Sequence, residues 1–195
     1  MALNLDEPAG ATSLDPDELA GLIPTHISRR TELDEWEAQN ILKAEAWLNS
    51  RKPRDLLTLQ FIMRLHKRMF DDTWKWSGKF RTNEKNIGVD PAQIGVRTRN
   101  LCEDVKAQLA AGTLPLDHIA AMFHHRLVSI HPFANGNGRH ARMISDLLLV
   151  KGGAARFTWG SGVLAADNVV RDRYIAALRA ADAKEFGLLF DFVRS

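Results

Sequence analysis

The stretch His131-Pro132-Phe133-Ala134-Asn135-Gly136-Asn137-Gly138-Arg139-His140-Ala141-Arg142 decides how this chain is read. It joins one apolar helical segment, about 116–130, to another, about 138–150, through a loop that contains two Asn-Gly pairs. Glycines at such positions let backbone N–H groups turn toward a common point, and the next helix begins there with its positive dipole end. A loop of this kind followed by a helix N-terminus is an anion site by geometry. Arg139 and Arg142 are three residues apart and share a face of the first helical turn, adding charge beside the nest. His131 stands at the loop entrance. A phosphate cradle, two arginines and a histidine suit phosphoryl or nucleotidyl transfer. An ordinary helix–turn–helix corner would account for Gly136 and Gly138, but not for both arginines and the histidine together.

Outward from the loop, helical spacing dominates. Leu116, Ile119, Ala120, Phe123, Leu127 and Ile130 trace one apolar face before it, and Gly152-Gly153 stops the helix after it. Upstream, Asp15-Pro16-Asp17-Glu18 is a helix start, with a capping acid, proline at the first position and acids on the dipole. Longer helices are expected over about 31–49, with Thr31 as N-cap, over 55–70 after Pro53, and over 99–111. Two more are expected over about 167–181 and 185–193. Residues 71–98 are rich in turn formers, and Ile87, Val89, Ile94 and Val96 flank Asp90-Pro91, which predicts one β-hairpin. The fold class is therefore all-α: a bundle of about six to eight helices with one hairpin.

Length and composition set the frame. The 195 residues suit one domain, and 45% hydrophobic with 26% charged residues excludes disorder over most of the chain. Residues 1–28 hold five acids and no Lys or Arg, so residues 29–195 carry a net charge of +7. The expected organisation is an acidic arm over 1–28 and a single domain over 29–195. The arm is either solvated or folded over a basic, phosphate-binding surface. Charge so dispersed is not a nucleic-acid stripe. A single cysteine, Cys102, allows no internal disulfide, and the start lacks the basic and apolar regions of a signal peptide. No run is long and apolar enough to span a membrane. These features predict a cytoplasmic protein.

The loop resembles the signature of the Fic domain family, His-x-Phe-x-Asp/Glu-Gly-Asn-Gly-Arg-x-x-Arg, and departs from it only at Asn135. The helices from about 55 to 181 look like the family's core, and residues 84–97 look like its target-positioning flap, with Ile87 and Val89 placed to pair with an extended target segment. Together with Arg30-Thr31-Glu32-Leu33-Asp34-Glu35, the motif is also similar to the branch called mobile mystery protein B. The resemblance implies transfer of AMP from ATP onto a Ser, Thr or Tyr hydroxyl of a target protein, and a regulatory partner of the antitoxin kind. His131 would be the general base and Phe133 a buried anchor. Asn137, with the backbone of Gly136 and Gly138, would line the anion hole. Arg139 would support the phosphates and Arg142 orient the γ-phosphate.

Asn135 stands where the family carries an acidic Mg²⁺ ligand. Its amide would hold Mg²⁺ more weakly than a carboxylate. Doc-type relatives, which act as kinases, replace Gly-Asn-Gly with Ala-Asn-Lys, so Gly136 and Gly138 favour adenylyl over phosphoryl transfer. A nucleotide-binding pseudoenzyme or partner-binding module weakened at Asn135 is the non-enzyme alternative, and the retained His131 argues against it. Many relatives are inhibited by a helix with Ser/Thr-x-x-x-Glu-Gly/Asn. Here Thr31 and Glu35 fit, Trp36 replaces the last position, and Glu37 lies one residue beyond the register. His118, His124, His125, His131 and His140 lack zinc-ligand spacing, and Trp74 and Trp76 are expected to form a packed corner under the flap.

Overall fold

The computed structural model describes residues 14–161 and 168–195. The first half of the acidic arm, with Asp6 and Glu7, and the helix start expected at Asp167 lie outside them. Among the described residues the chain forms eight α-helices: α1 Pro16–Leu19, α2 Arg30–Arg51, α3 Leu59–Phe70, α4 Ile94–Ala111, α5 Leu116–Ile130, α6 Asn137–Lys151, α7 Asn168–Asp182 and α8 Gly187–Arg194. The all-α bundle expected from the spacing is what forms.

Helix ends follow local chemistry. Glu18 reaches back to accept from the Asp15 N–H at 2.9 Å, a capping contact across the first turn of α1. Helix α2 begins one residue before Thr31, because Glu32 accepts from the backbone of Ser28 and Arg29 at 2.8 and 3.1 Å. Helix α3 starts at Leu59 and not at Asp55, because the Thr58 hydroxyl accepts from the Phe61 N–H at 3.1 Å.

The core lies where α3, α5 and α6 meet. Phe61, Ile62, Leu65, Met69 and Phe70 of α3 pack with Ile119, Phe123 and Leu127 of α5 and with Ile144 and Leu149 of α6, each nearly or wholly buried. Helix α2 covers α3, α4 lies along α5, and α7 pairs with α8. No helix among the described residues is long and apolar enough to cross a membrane.

The expected β-hairpin does not form. Asp90 accepts from the Ala92 N–H at 2.8 Å, and Pro91 opens a 3₁₀ turn over Pro91–Gln93 that runs directly into α4. Ile94, a β-former by type, is fully buried on α4, where Thr98, Leu101, Cys102 and Val105 continue the same helical face. The spacing over 94–105 is helical, and that outweighs β-propensity. The flap is therefore an irregular segment with no strand.

Candidate functional site

Helix α5 ends in a left-handed residue, and that residue is His131, with φ 51° and ψ 62°. A non-glycine residue rarely adopts this backbone. The turn is held from both sides: the His131 N–H donates to the Leu127 carbonyl at 3.2 Å, and the His131 carbonyl accepts from Arg81 Nε at 2.7 Å. Burial, helped by the Arg81 charge, pushes the His131 imidazole down to about 4, and its ring meets the Val128 carbonyl. At neutral pH it is uncharged and able to accept a proton.

Behind His131 the loop closes on itself. Phe133 is fully buried and stacks on His66, ring centroids 3.7 Å apart. The Asn137 amide accepts from the Phe133 N–H at 2.9 Å and donates to the Phe133 carbonyl at 2.8 Å. Its side chain is thus committed to bracing the loop, and lining of an anion hole falls to the backbone at this position. His66 fixes the other edge. Its Nδ1 accepts from the Gly78 N–H at 3.0 Å, so Nε2 carries the proton and donates to the Asn135 carbonyl at 3.0 Å.

Gly136 has φ 76°, and a Cβ there would lie 2.5 Å from the Phe70 ring, so both backbone and space demand glycine. Gly138 is different, because a Cβ would make only ordinary contacts at 3.7 Å with Arg142 and the Tyr174 hydroxyl. The loop then feeds α6, whose first residues line a cleft of about 620 Å³. His131, Asn135, Gly136, Asn137, Gly138, Arg139 and Arg142 all line it, so the structure brings the motif residues to one place.

The two arginines have unlike surroundings. Arg139 is held at 2.5 Å by the buried Glu37 carboxylate and at 3.4 Å by Asn135 Oδ1, with its guanidinium 5.0 Å from the Phe70 ring. Glu37 also accepts from Trp74 Nε1 at 2.7 Å. Arg142 is more deeply set, and burial lowers its pKa, with the Tyr174 hydroxyl as its hydrogen-bonding neighbour. Glu35, the acid that the spacing singles out, is exposed on α2 and off the cleft lining. Helical geometry explains the difference. Asp34 and Glu37 are three apart on one face, and that face turns inward, with Asp34 at the cleft rim, paired to Arg30 at 2.9 Å.

The residues present do not fit a protein-held Mg²⁺. Asn135 Oδ1 is a neutral oxygen, it already accepts from the Gly136 N–H at 2.6 Å, and a guanidinium lies beside it. Among the described residues no cluster of three His, Cys, Asp or Glu could hold a metal.

The flap residues separate. Ile87 is exposed and lines the cleft. Val89 is not available for strand pairing, since its N–H donates to the Ile130 carbonyl at 3.3 Å and its carbonyl accepts from Arg81. Trp74 and Trp76 stack at 5.0 Å as a packed corner, with their ring nitrogens on Glu37 of α2 and on the Glu18 carbonyl of α1. Sequence reasoning overlooked Arg81, His66 and Tyr174. None belongs to the motif, and a buried arginine that serves backbone carbonyls leaves no spacing signal.

Residues 56–149 match the Fic/DOC family. The chain is 29% identical over 102 residues to the protein adenylyltransferase Fic of Drosophila willistoni, an alignment covering 50% of this chain and 20% of that protein. The chain therefore spans about a fifth of the length of the curated relatives it matches. Among solved structures, the N-terminal Fic domain of a Bartonella effector protein from Bartonella sp. AR 15-3 superposes with a TM-score of 0.70 at 15% identity, covering 93% of this chain and 92% of that one. The BepC protein of Bartonella tribocorum, solved with bound AMPPNP, gives 0.69 at 18% identity over 92% and 97%. At such identities the likeness is one of fold.

Proposed function

Residues 56–149 of this chain belong to the Fic/DOC family, and from that premise we propose that the protein is an adenylyltransferase, moving AMP from ATP to a hydroxyl of a protein target. The observation that carries the reading is the convergence of a neutral, buried His131 with the N-terminus of α6 and Arg142 in one cleft. The base and the anion site stand on the same wall.

In this reading His131 takes the proton of the target hydroxyl. The oxygen attacks the α-phosphorus, the bond to the bridging oxygen breaks, and pyrophosphate leaves. The backbone N–H groups at the start of α6 and the Arg142 guanidinium hold the phosphates and meet the charge that develops. Ile87 on the flap is the contact offered to the target. Helix α2 supplies restraint through Glu37, which holds Arg139, in place of the Glu35 expected from spacing. The kinship to the mobile mystery protein B branch belongs to the same proposal and rests on residues 30–35 with the motif.

The test is one transfer assay run in parallel with α-labelled and γ-labelled ATP, on a bacterial lysate and on the protein itself. Label from the α-phosphate alone, lost in His131→Ala, is expected. Label from the γ-phosphate alone would make the protein a kinase. No label from either would leave a nucleotide-binding module without turnover.

A further inference from the structure

The chain has one tyrosine, Tyr174, and it lies in α7, beyond the family-matched segment. Its side chain is buried at the junction of three helices, with His124 of α5 and Arg142 of α6 around its hydroxyl. Tyr174 Oη is 2.9 Å from His124 Nε2, and the Arg142 guanidinium carbon is 5.8 Å from the ring centroid. We propose that Tyr174 is a positioning residue that, with its hydroxyl donating to His124, aims Arg142 into the cleft without neutralising it.

Donor and acceptor roles follow from the groups themselves. A guanidinium only donates, so the phenol oxygen must accept from Arg142. The single phenol proton is then left for His124, whose Nε2 must be unprotonated. Burial keeps His124 neutral, with its imidazole pushed down to about 3, which agrees with an accepting ring nitrogen. His124 is wholly enclosed, beside Trp159 at 4.6 Å.

The contrast with Arg139 gives this its meaning. Arg139 faces the Glu37 carboxylate and has much of its charge offset locally. Among the described residues Arg142 has no ion pair; the carboxylate one turn along α6, Asp146, is occupied by Trp159 Nε1 at 3.1 Å and the Phe157 N–H at 3.2 Å. A neutral phenol holds a guanidinium less firmly than a carboxylate does, yet it leaves the charge for an anionic ligand. Gly138 lies beside both groups, since a Cβ built there would be 3.7 Å from Arg142 Nη1 and from the Tyr174 hydroxyl. The inference assigns the binding of the phosphate chain chiefly to Arg142, and in that respect it rests on the nucleotide reading above.

The experiment measures binding of inorganic tripolyphosphate and of ATP by calorimetry to the full chain and to Tyr174→Phe, Arg142→Ala and the double variant. Tyr174→Phe keeps the ring but leaves His124 Nε2 unpaired, and we expect it to weaken both ligands about tenfold while lowering the thermal midpoint by only a few degrees. The double variant is expected to bind no more weakly than Arg142→Ala. Equal loss from Tyr174→Phe with and without Arg142 would show a merely structural tyrosine and overturn the proposal. The ¹⁵N spectrum of labelled histidine decides it independently of any ligand. His124 is expected as the Nδ1–H form, with its Nε2 signal displaced in Tyr174→Phe, and an Nε2–H form would reverse the chain of donors and sink the idea. A parent that binds neither ligand, together with the Nδ1–H form, would remove the nucleotide reading and leave the arrangement of Arg142 standing.

Discussion

The loop 131–139 and the flap 81–90 meet beside the cleft, and they are held in different ways. The loop is braced mostly from within. Asn137 closes on Phe133 four residues away, Asn135 caps Gly136, and α6 follows at once. The flap is braced only partly from within. Its anchor is Arg81, which donates to the carbonyls of His131, Asn83 and Val89. Its Lys85, nearly buried, is held by Asp15 at 3.0 Å and Glu18 at 2.5 Å from the start of the chain. A segment braced locally is set by its own sequence, whereas a segment braced from afar inherits its shape from the rest of the fold.

The largest expected effect comes from acid, and it falls on the loop side. Burial pushes His131 and His140 down to about 4 and His124 to about 3, from an ordinary value of 6.5. Between 6.5 and about 4 the unfolded chain binds protons that the native state refuses. Stability is therefore full above 6.5 and is lost as pH falls toward 4, with a slope of up to about 1.4 kcal/mol per pH unit for each histidine. Urea midpoints that stay level between pH about 7 and about 5 would remove this account.

Asn137→Ala comes next. It strands the buried Phe133 N–H and carbonyl, at a cost of about 2–4 kcal/mol in urea unfolding. A loss under about 0.5 kcal/mol would mean that the loop does not depend on its own brace. Arg81→Lys keeps the charge but cannot serve three carbonyls as a fork, so a loss of about 1–2 kcal/mol is expected. Faster amide exchange over 83–90 than over 133–137 is the sign to look for. Asp15→Asn is the smallest. The Lys85 hydrogen bond holds the Asp15 carboxyl below its usual range, but Asp15 is 42% exposed, so screening limits the effect to under about 1 kcal/mol. The effect is expected to fade in high salt; equal losses at low and high salt would argue against a charge contact.

The same contrast decides what could be read from the amino-acid sequence. The cradle was legible because its determinants are contiguous: glycine at 136 answers a local φ and a nearby ring, and Arg139 and Arg142 share a helical face. The helices were legible from apolar spacing, within a few residues at their ends. The flap misled, because Ile94 and Val96 are β-formers by type but sit on a helix whose buried face only becomes plain once α4 packs on α5. Glu35 and Glu37 show the limit of motif register. Which of two acids turns inward depends on the rotation of α2 against α3, and that is set by Leu33, Asn40 and Ala44 being buried together.

The recognisable family segment, 56–149, contains every motif residue yet none of Asp15, Glu18, Glu37 or Tyr174. Excised at those limits or grafted onto another scaffold, it would carry Lys85 and Arg139 stripped of their counter-charges, and Arg142 without its guide. The portable signature is smaller than the cooperative unit that makes it work. Any transplant of this cleft must take α1, α2 and α7 along with it.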